Sequence, residues 1–274
     1  MNFIIFFTER EGTSVLVQLL DQFNQISIVH RINNQGWEPF NPHNCGAMLL
    51  ASLQKCLELI YGSSQLDMMQ LNHIYTKTGK TPLSPFDKSK AIGLKMRFCP
   101  PKGVQFDQFQ ILMLELIKQN NIVVFVAVRQ DVFRLALSMY HGDGTGKTGH
   151  LQFKVAQGKI KLENIPKITV DCSSLEAIIS QCESRTQEKR DLLEWFQGTG
   201  VKVYPLLYED FCENKISYFK KFFESIQVKI SEQEIEDTLN KGTSFKKIHS
   251  TDISSFVINH EEVMDKFGDR YIVW

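Results

Sequence analysis

Apolar and polar positions in the first two dozen residues predict a strand, a turn and a helix. Residues 2–7 form an apolar run of strand type, and residues 8–14 are polar apart from one glycine. Helical spacing of apolar residues follows, at Val15, Leu16, Leu19, Leu20 and Phe23. A strand, a short turn and a helix in this order point backbone N–H groups toward one place, which suits an anion.

Strand-like and helical patterns continue to alternate, which predicts an α/β fold with a central parallel sheet flanked by helices. Further strands are predicted at residues 26–30, 91–98, 122–128 and 201–208. Helices are predicted at residues 45–61, 66–75, 106–118, 132–140, 175–197, 211–226 and 231–241, the last capped by Ser231 with Glu234. Residues 153–162 fit a hairpin, and no strong pattern follows Gly242. Because no repeat or linker divides the chain, residues 1–274 are expected to form a single domain.

Composition and charge narrow the class of protein. Lys plus Arg and Asp plus Glu both number 31, so nucleic acid is not an expected partner and an anion site needs local clustering. No apolar run is long enough to span a bilayer, and no basic segment precedes the first strand as in a signal peptide. The six cysteines lack C-x-x-C spacing and the seven histidines lack H-E-x-x-H. We therefore expect reduced thiols, a cytoplasmic location and no metal site.

The turn after the first strand carries candidate anion ligands. Arg10 offers a charged fork that matches phosphate or sulfate oxygens, and Thr13 and Ser14 offer hydroxyl donors at the start of the helix. The alternative is an ordinary strand-to-helix turn in which Thr13 or Ser14 is the N-cap. The local sequence leaves both interpretations open.

A second group of polar residues follows the most strongly apolar strand, at residues 129–138. Ligands of parallel α/β sheets gather at the carboxyl ends of strands, where Arg129 is predicted to lie. Asp131 is a candidate N-cap, and Ser138 shares a helical face with Arg134. Arg129 and Ser138 are therefore candidates for holding a second phosphate. The alternative is that Arg129 pairs with Asp131 and that Ser138 is only a small buried residue.

Together these motifs resemble those of the sulfotransferases. Residues 10–14 resemble the R-S-G-S/T-S/T loop that grips the 5′-phosphosulfate of 3′-phosphoadenosine-5′-phosphosulfate (PAPS), and residues 129–138 resemble the motif that holds its 3′-phosphate. Residues 207–211 are similar to the Y-E-D-L/F segment of the bacterial trehalose-sulfotransferase branch, and residues 92–95 to a G-x-K strand that ends at Lys95. The resemblance runs loosely from Phe3 to Val228. Glu11 stands where the family usually has Ser, and its side chain is expected to point away from the ligand.

The resemblance implies a P-loop-NTPase-like sulfotransferase fold that uses PAPS and releases 3′-phosphoadenosine-5′-phosphate (PAP). Its acceptor would be a small-molecule hydroxyl, of a carbohydrate or glycolipid, and a homodimer is left open. The implied donor contacts are Arg10, Gly12, Thr13, Ser14, Arg129, Ser138 and Tyr208.

Sulfuryl transfer to an alcohol also needs a base. In the trehalose branch the base is a Glu after the first strand–helix–strand segment, and here Glu38 is the only carboxylate in residues 30–40. Glu38 is therefore the expected base and Arg10 the expected stabiliser of the leaving group. His30 is the next candidate for the base, and the neighbouring Trp37 offers a flat surface for a sugar.

Two other interpretations remain. The chain could be a non-catalytic protein that binds a nucleotide or phosphate on the same fold. It could also be a P-loop kinase, because residues 142–148 read G-D-G-T-G-K-T. That segment fails the Walker A spacing because His141 occupies the position of the first glycine, and it follows a helix rather than a strand. Lys147 is therefore not expected to bind a nucleotide.

Overall fold

The computed structural model describes residues 1–8, 11–29, 91–98, 105–143, 167–243 and 252–273, with residues 155, 158, 161, 164 and 165. The strands are β1 (Phe3–Phe6), β2 (Ile26–Val29), β3 (Ala91–Met96), β4 (Val123–Val128) and β5 (Val203–Leu207). The helices are α1 (Thr13–Leu20), α2 (Phe106–Gln119), α3 (Val132–Asp143), α4 (Cys172–Gly198), α5 (Tyr208–Glu213), α6 (Lys215–Ser225), α7 (Glu232–Lys241) and α8 (His260–Phe267). A 3-10 turn covers Ile253–Ser255.

The five strands form one parallel sheet in the order β2-β3-β1-β4-β5. The prediction of an α/β fold with a central parallel sheet is therefore confirmed. β1 lies in the middle, with Phe3 opposite Gly93 of β3 on one side and opposite Val123 of β4 on the other. Every residue of β1 and of β4 is buried, as expected for central strands whose two faces are both covered.

Helices cover both faces of the sheet because successive side chains of a strand point to opposite sides. On one face, Ile4 and Phe6 of β1 pack with the apolar residues of α2 and α4. On the other face, Phe3 and Ile5 pack with those of α1 and α6. A third apolar cluster joins α3, the first half of α4 and α8. The third cluster fixes α3 at the carboxyl end of β4.

The strand order creates a switch point between β1 and β4. The chain leaves β1 toward β2 on one side of the sheet, and it leaves β4 toward β5 on the other side. Neighbouring strands whose connections diverge in this way leave a crevice at their carboxyl ends, where open α/β sheets bind ligands. The two polar turns singled out by the sequence flank this crevice.

The structure corrects the boundaries predicted around Tyr208. The predicted strand included Tyr208, but β5 ends at Leu207 and Tyr208 is the first residue of α5. The single helix predicted at residues 211–226 is two helices, because Asn214 is extended between them. Its side chain accepts a hydrogen bond from Ser217 N and caps α6.

Other helix boundaries differ less from the prediction. α3 continues to Asp143 rather than ending at residue 140, and α4 begins at Cys172 behind the N-cap Asp171. The capping box of Ser231 and Glu234 is confirmed at the start of α7. No strong sequence pattern follows Gly242, yet this part of the chain contains α8, which buries Val263 and Phe267. The helices predicted at 45–61 and 66–75 lie outside the described residues, as does most of the hairpin predicted at 153–162.

Gly93→Ala is expected to destabilise the protein by about 1–3 kcal/mol. A Cβ at Gly93 would lie 2.1 Å from the ring of Phe3, which is fully buried and packs on Phe125 of β4 and Phe222 of α6. Chemical denaturation measures the loss. Gly198→Ala is the matched control, because a Cβ at this helical glycine meets nothing within 4 Å. Alanine there should be neutral or stabilising by up to about 1 kcal/mol. Equal effects of the two changes would contradict the packing described.

Candidate functional site

The turn between β1 and α1 requires glycine at position 12 for two reasons. Gly12 is the N-cap of α1 and has a φ of 72°, in the left-handed region that side chains disfavour. A Cβ at Gly12 would also lie 2.6 Å from the ring of Tyr208. The alternative interpretation, in which Thr13 or Ser14 is the N-cap, is wrong, because both lie inside the first turn of α1. A glycine cap leaves the first turn without a side-chain acceptor, which suits an external anion.

Glu11 is buried beside this turn, and its carboxylate has partners inside the protein. It accepts hydrogen bonds from Thr8 N and Thr8 Oγ1, both at 2.8 Å, and forms an ion pair with Lys189 of α4. Both charged side chains are almost completely buried. Burial lowers the pKa of the Lys189 ammonium, and the paired carboxylate opposes that shift. The two hydrogen bonds join Thr8, which follows β1, to Glu11, which precedes α1.

The turn between β4 and α3 presents Arg129 at the same edge of the sheet. Asp131 caps α3, since its Oδ1 accepts a hydrogen bond of 2.8 Å from Arg134 N. Its Oδ2 lies 3.1 Å from Arg134 Nε, so Asp131 pairs with Arg134. The prediction that Asp131 is the N-cap is confirmed.

Two distant parts of the chain fix the β4–α3 turn. Glu209 Oε1 accepts hydrogen bonds of 3.1 Å from the backbone N–H groups of Gln130 and Asp131. From the other side, the Tyr271 hydroxyl donates to Gln130 Oε1 at 2.6 Å and Ile272 N donates to Gln130 O at 3.0 Å. The N–H groups of Gln130 and Asp131 are therefore occupied by Glu209 and cannot bind an anion. A ligand at this turn would be bound by side chains instead. No local sequence pattern indicates the Tyr271 and Ile272 contacts.

Tyr208 joins the two turns. Its ring lies against Gly12 on one side, and the Arg129 guanidinium carbon lies 4.8 Å from the ring centroid. This is the geometry of a cation–π contact. Burial raises the pKa of Tyr208 to about 12, with a smaller contribution from a hydrogen bond to Cys212. The phenol therefore stays protonated at neutral pH and can act as a platform or a hydrogen-bond donor.

The neighbouring strand β3 adds positive charge to this edge. Lys95, near the end of β3, is buried, and its Nζ lies 4.0 Å from the centroid of the Phe7 ring. Arg97 follows the strand, with its guanidinium carbon 5.9 Å from the same centroid. The sequence motifs indicated Lys95 but not Arg97. The position of Arg97 just beyond an apolar strand is the pattern that could have indicated it as a site residue.

The other predicted site residues are placed less completely. Thr13 is buried and Ser14 half-buried in the first turn of α1. Ser138 is half-buried in the middle of α3, and within the described part of the chain its side chain makes no hydrogen bond to Arg129. The structure thus brings together Gly12, Arg129 and Tyr208 but does not join Ser138 to them. Arg10, His30, Glu38 and Lys147 lie outside the described residues.

A small cavity opens beside Gly12, between α1 and the α5–α6 pair. Its volume is about 10 Å³, room for about one water molecule, so it is too small to hold a nucleotide. The cavity is lined by Glu11, Gly12, Thr13, Leu16, Ala127, Leu206, Tyr208, Phe211 and Tyr218. Among the described residues, no group of His, Cys, Asp and Glu is arranged to hold a metal ion. No helix in the same ranges is long and apolar enough to cross a membrane.

No family model and no curated protein matches this chain. Among solved structures, a sulfotransferase from Alicyclobacillus acidocaldarius matches at 14% identity with a TM-score of 0.46, covering 97% of this chain and 91% of that one. Mouse sulfotransferase SULT7A1 complexed with PAP matches at 11% identity and a TM-score of 0.42, covering 94% and 70%. Sulfotransferase STF9 from Mycobacterium avium matches at 10% and 0.40, covering 98% and 75%. Similarities this low carry no argument about activity, which has to come from the residues.

Glu11→Gln is expected to destabilise the protein by about 3–5 kcal/mol at pH 6–7, because it leaves the Lys189 ammonium buried without its carboxylate. Burial alone lowers the pKa of Lys189 to about 7, against about 10.4 in the unfolded chain. Between these values the unfolded chain binds more protons, so the variant's stability should rise with pH. Denaturation midpoints measured from pH 6 to pH 9 should therefore show the stability difference between Glu11→Gln and wild type shrinking as the pH rises.

Glu232→Gln provides the control for this series. It removes the carboxylate of the Lys220–Glu232 pair, whose side chains are 43% and 55% exposed. Exposed ion pairs contribute about 0–1 kcal/mol, so the control should change stability little at any pH in the range. A Glu11→Gln deficit as small as that of the control would contradict the buried pair.

Proposed function

We propose that this protein is a PAPS-dependent sulfotransferase that transfers a sulfuryl group to a hydroxyl of a carbohydrate or glycolipid. The main support is the Tyr208 ring, which contacts Gly12 on one side and faces Arg129 on the other. These residues belong to three separate segments, each resembling a sulfotransferase motif. Their contact lies at the switch point of a parallel sheet, the expected place for a ligand.

Charge at this edge also supports a polyanionic donor. The chain has no net charge, yet Lys95, Arg97 and Arg129 lie at the carboxyl ends of β3 and β4. Arg10 follows β1, which lies between these strands. PAPS carries a phosphosulfate at its 5′ end and a phosphate on its 3′ oxygen, so cations at adjacent strand ends match its two charged groups.

The proposed donor contacts follow from this arrangement. Arg10, the N–H groups of residues 12–14 and the hydroxyls of Thr13 and Ser14 would hold the 5′-phosphosulfate. Arg129 would hold the 3′-phosphate, with Ser138 as a second contact farther along α3. The Tyr208 ring would keep the two anion sites at a fixed separation, because it contacts the residues that present both.

The reaction proposed is an in-line displacement at sulfur. The acceptor oxygen forms a new S–O bond while the S–O bond to the phosphate of PAP breaks, and the phosphate oxygen keeps the electron pair. Arg10 and the first turn of α1 would stabilise the charge that develops on this leaving oxygen. Glu38 would accept the proton of the acceptor hydroxyl, with His30 as the next candidate.

A binding protein without turnover would use the same donor contacts. It would differ only in lacking a functional base and an acceptor. Donor binding and transfer therefore have to be tested separately, the first at Arg129 and the second at Glu38.

Arg129→Ala is expected to weaken PAP binding by about 10- to 150-fold, the equivalent of about 1.5–3 kcal/mol for a charge-assisted contact. It should leave adenosine-5′-phosphosulfate, which lacks the 3′-phosphate, almost unaffected. Calorimetric titration measures both affinities. Arg134→Ala is the matched control, since Arg134 pairs with Asp131 in the next turn and is not assigned to the donor. Equal losses for both ligands would remove Arg129 from the 3′-phosphate site.

Glu38→Gln is expected to keep PAP affinity and to reduce sulfate transfer by about 10²–10⁴-fold, because it removes the base and keeps the shape of the side chain. Transfer of labelled sulfate from PAPS to trehalose and simple sugars measures the rate. Full activity in the variant would move the role of base to His30. A wild-type protein that binds PAP and transfers sulfate to no hydroxyl in a broad panel would support the binding protein instead.

A further inference from the structure

Residues 270–273, here called the C-terminal strap, lie across the β4–α3 turn that presents Arg129. We propose that the strap is a positioning element of the donor site, which holds Gln130 so that Arg129 faces the 3′-phosphate of PAPS. This inference rests on the proposed function and adds a specificity role for Tyr271. It concerns a part of the chain that lies far in sequence from all the sulfotransferase-like motifs.

Three hydrogen bonds attach the strap to the turn. The Tyr271 hydroxyl donates to Gln130 Oε1 at 2.6 Å, and Ile272 N donates to Gln130 O at 3.0 Å. Arg270 O accepts from Phe133 N at 3.2 Å, in the first turn of α3, where N–H groups need acceptors outside the helix. Both the backbone and the side chain of Gln130 are therefore held by the strap.

The strap is also attached to α4 on its other side. Arg190 Nη2 donates to Val273 O at 2.7 Å, and Arg270 Nη1 lies 3.3 Å from Glu183 Oε1. These contacts are at the surface, and each alone contributes little. Together they connect the strap to a 27-residue helix packed on the sheet, which gives the turn a rigid support.

Gln130 carries the constraint to Arg129 because it is the next residue along the chain. Gln130 is buried, and Glu209 accepts its N–H while the strap binds its carbonyl and amide oxygens. The turn therefore has one backbone orientation, and in that orientation the Arg129 guanidinium lies over Tyr208. Loss of the Tyr271 bond would leave a buried amide oxygen without this donor and loosen the turn.

Tyr271→Phe tests this role with little risk to the fold, because Tyr271 is about half exposed and the ring is kept. PAP affinity should fall by about two- to tenfold, as for one lost hydrogen bond. Affinity for adenosine 5′-monophosphate, which differs from PAP only in lacking the 3′-phosphate, should stay within about twofold. Tyr140→Phe is the matched control, since it removes a hydroxyl that accepts from Asp171 N at the start of α4. The control should bind both nucleotides as wild type does.

A double-mutant cycle separates positioning from general stability. If the strap acts through Arg129, Tyr271→Phe should have no further effect on PAP affinity in the Arg129→Ala background. Equal weakening of both nucleotides, no weakening of either, or additive losses in the double variant would overturn the inference. These results are distinguishable from failure of the proposed function, in which the wild-type protein would not prefer PAP over adenosine 5′-monophosphate at all.

Discussion

The parallel pairing of β1 with β4 is the constraint on which the rest of the structure depends. Both strands are buried along their whole length, so they can lie only in the centre of a sheet covered on both faces. Their connections leave in opposite directions, so the turns that follow them lie at the same edge of the sheet. The contact of Tyr208 with Gly12 and its position beneath Arg129 are consequences of this pairing.

Helix α4 holds both turns in place. Lys189 forms the buried ion pair with Glu11 in the first turn, and the adjacent Arg190 binds the C-terminal strap that holds the second. A buried ion pair adds little net stability compared with apolar residues of the same size, but it is costly to break on one side. Its effect is therefore to specify one arrangement of the first turn relative to α4. Glu11 and the strap together make the site depend on a helix that contains none of the sulfotransferase-like motifs.

The sequence predicted those parts of the fold that depend on local patterns. The run of six apolar residues in β4 and the spacing of Ser231 and Glu234 in α7 each have a short-range physical cause, and both are confirmed. The apolar run of β5 leads directly into Tyr208, so the pattern extends the predicted strand one residue too far. The break at Asn214 was missed because its side-chain cap interrupts a pattern that is otherwise continuously helical.

The candidate site was predictable only in part. Gly12, Arg129 and Tyr208 each follow a strand in the sequence, and the parallel topology brings them together. The Glu11–Lys189 pair and the Tyr271–Gln130 bond join residues more than 140 positions apart, and no local pattern identifies such partners. Ser138 shares a motif with Arg129 but lies two turns into α3, so the spacing alone did not fix a contact between them.

Under the proposed function, this edge of the sheet binds a nucleotide with phosphates on both its 3′ and 5′ oxygens. Thermal unfolding of the wild-type protein with PAP, ADP and ATP at equal concentrations tests it most directly, because a ligand that binds the native state raises the midpoint by mass action. We expect PAP to raise the midpoint, and ADP and ATP to leave it close to that of the free protein. The proposal would be contradicted if ATP raised the midpoint as much as PAP or more, or if none of the three nucleotides raised it.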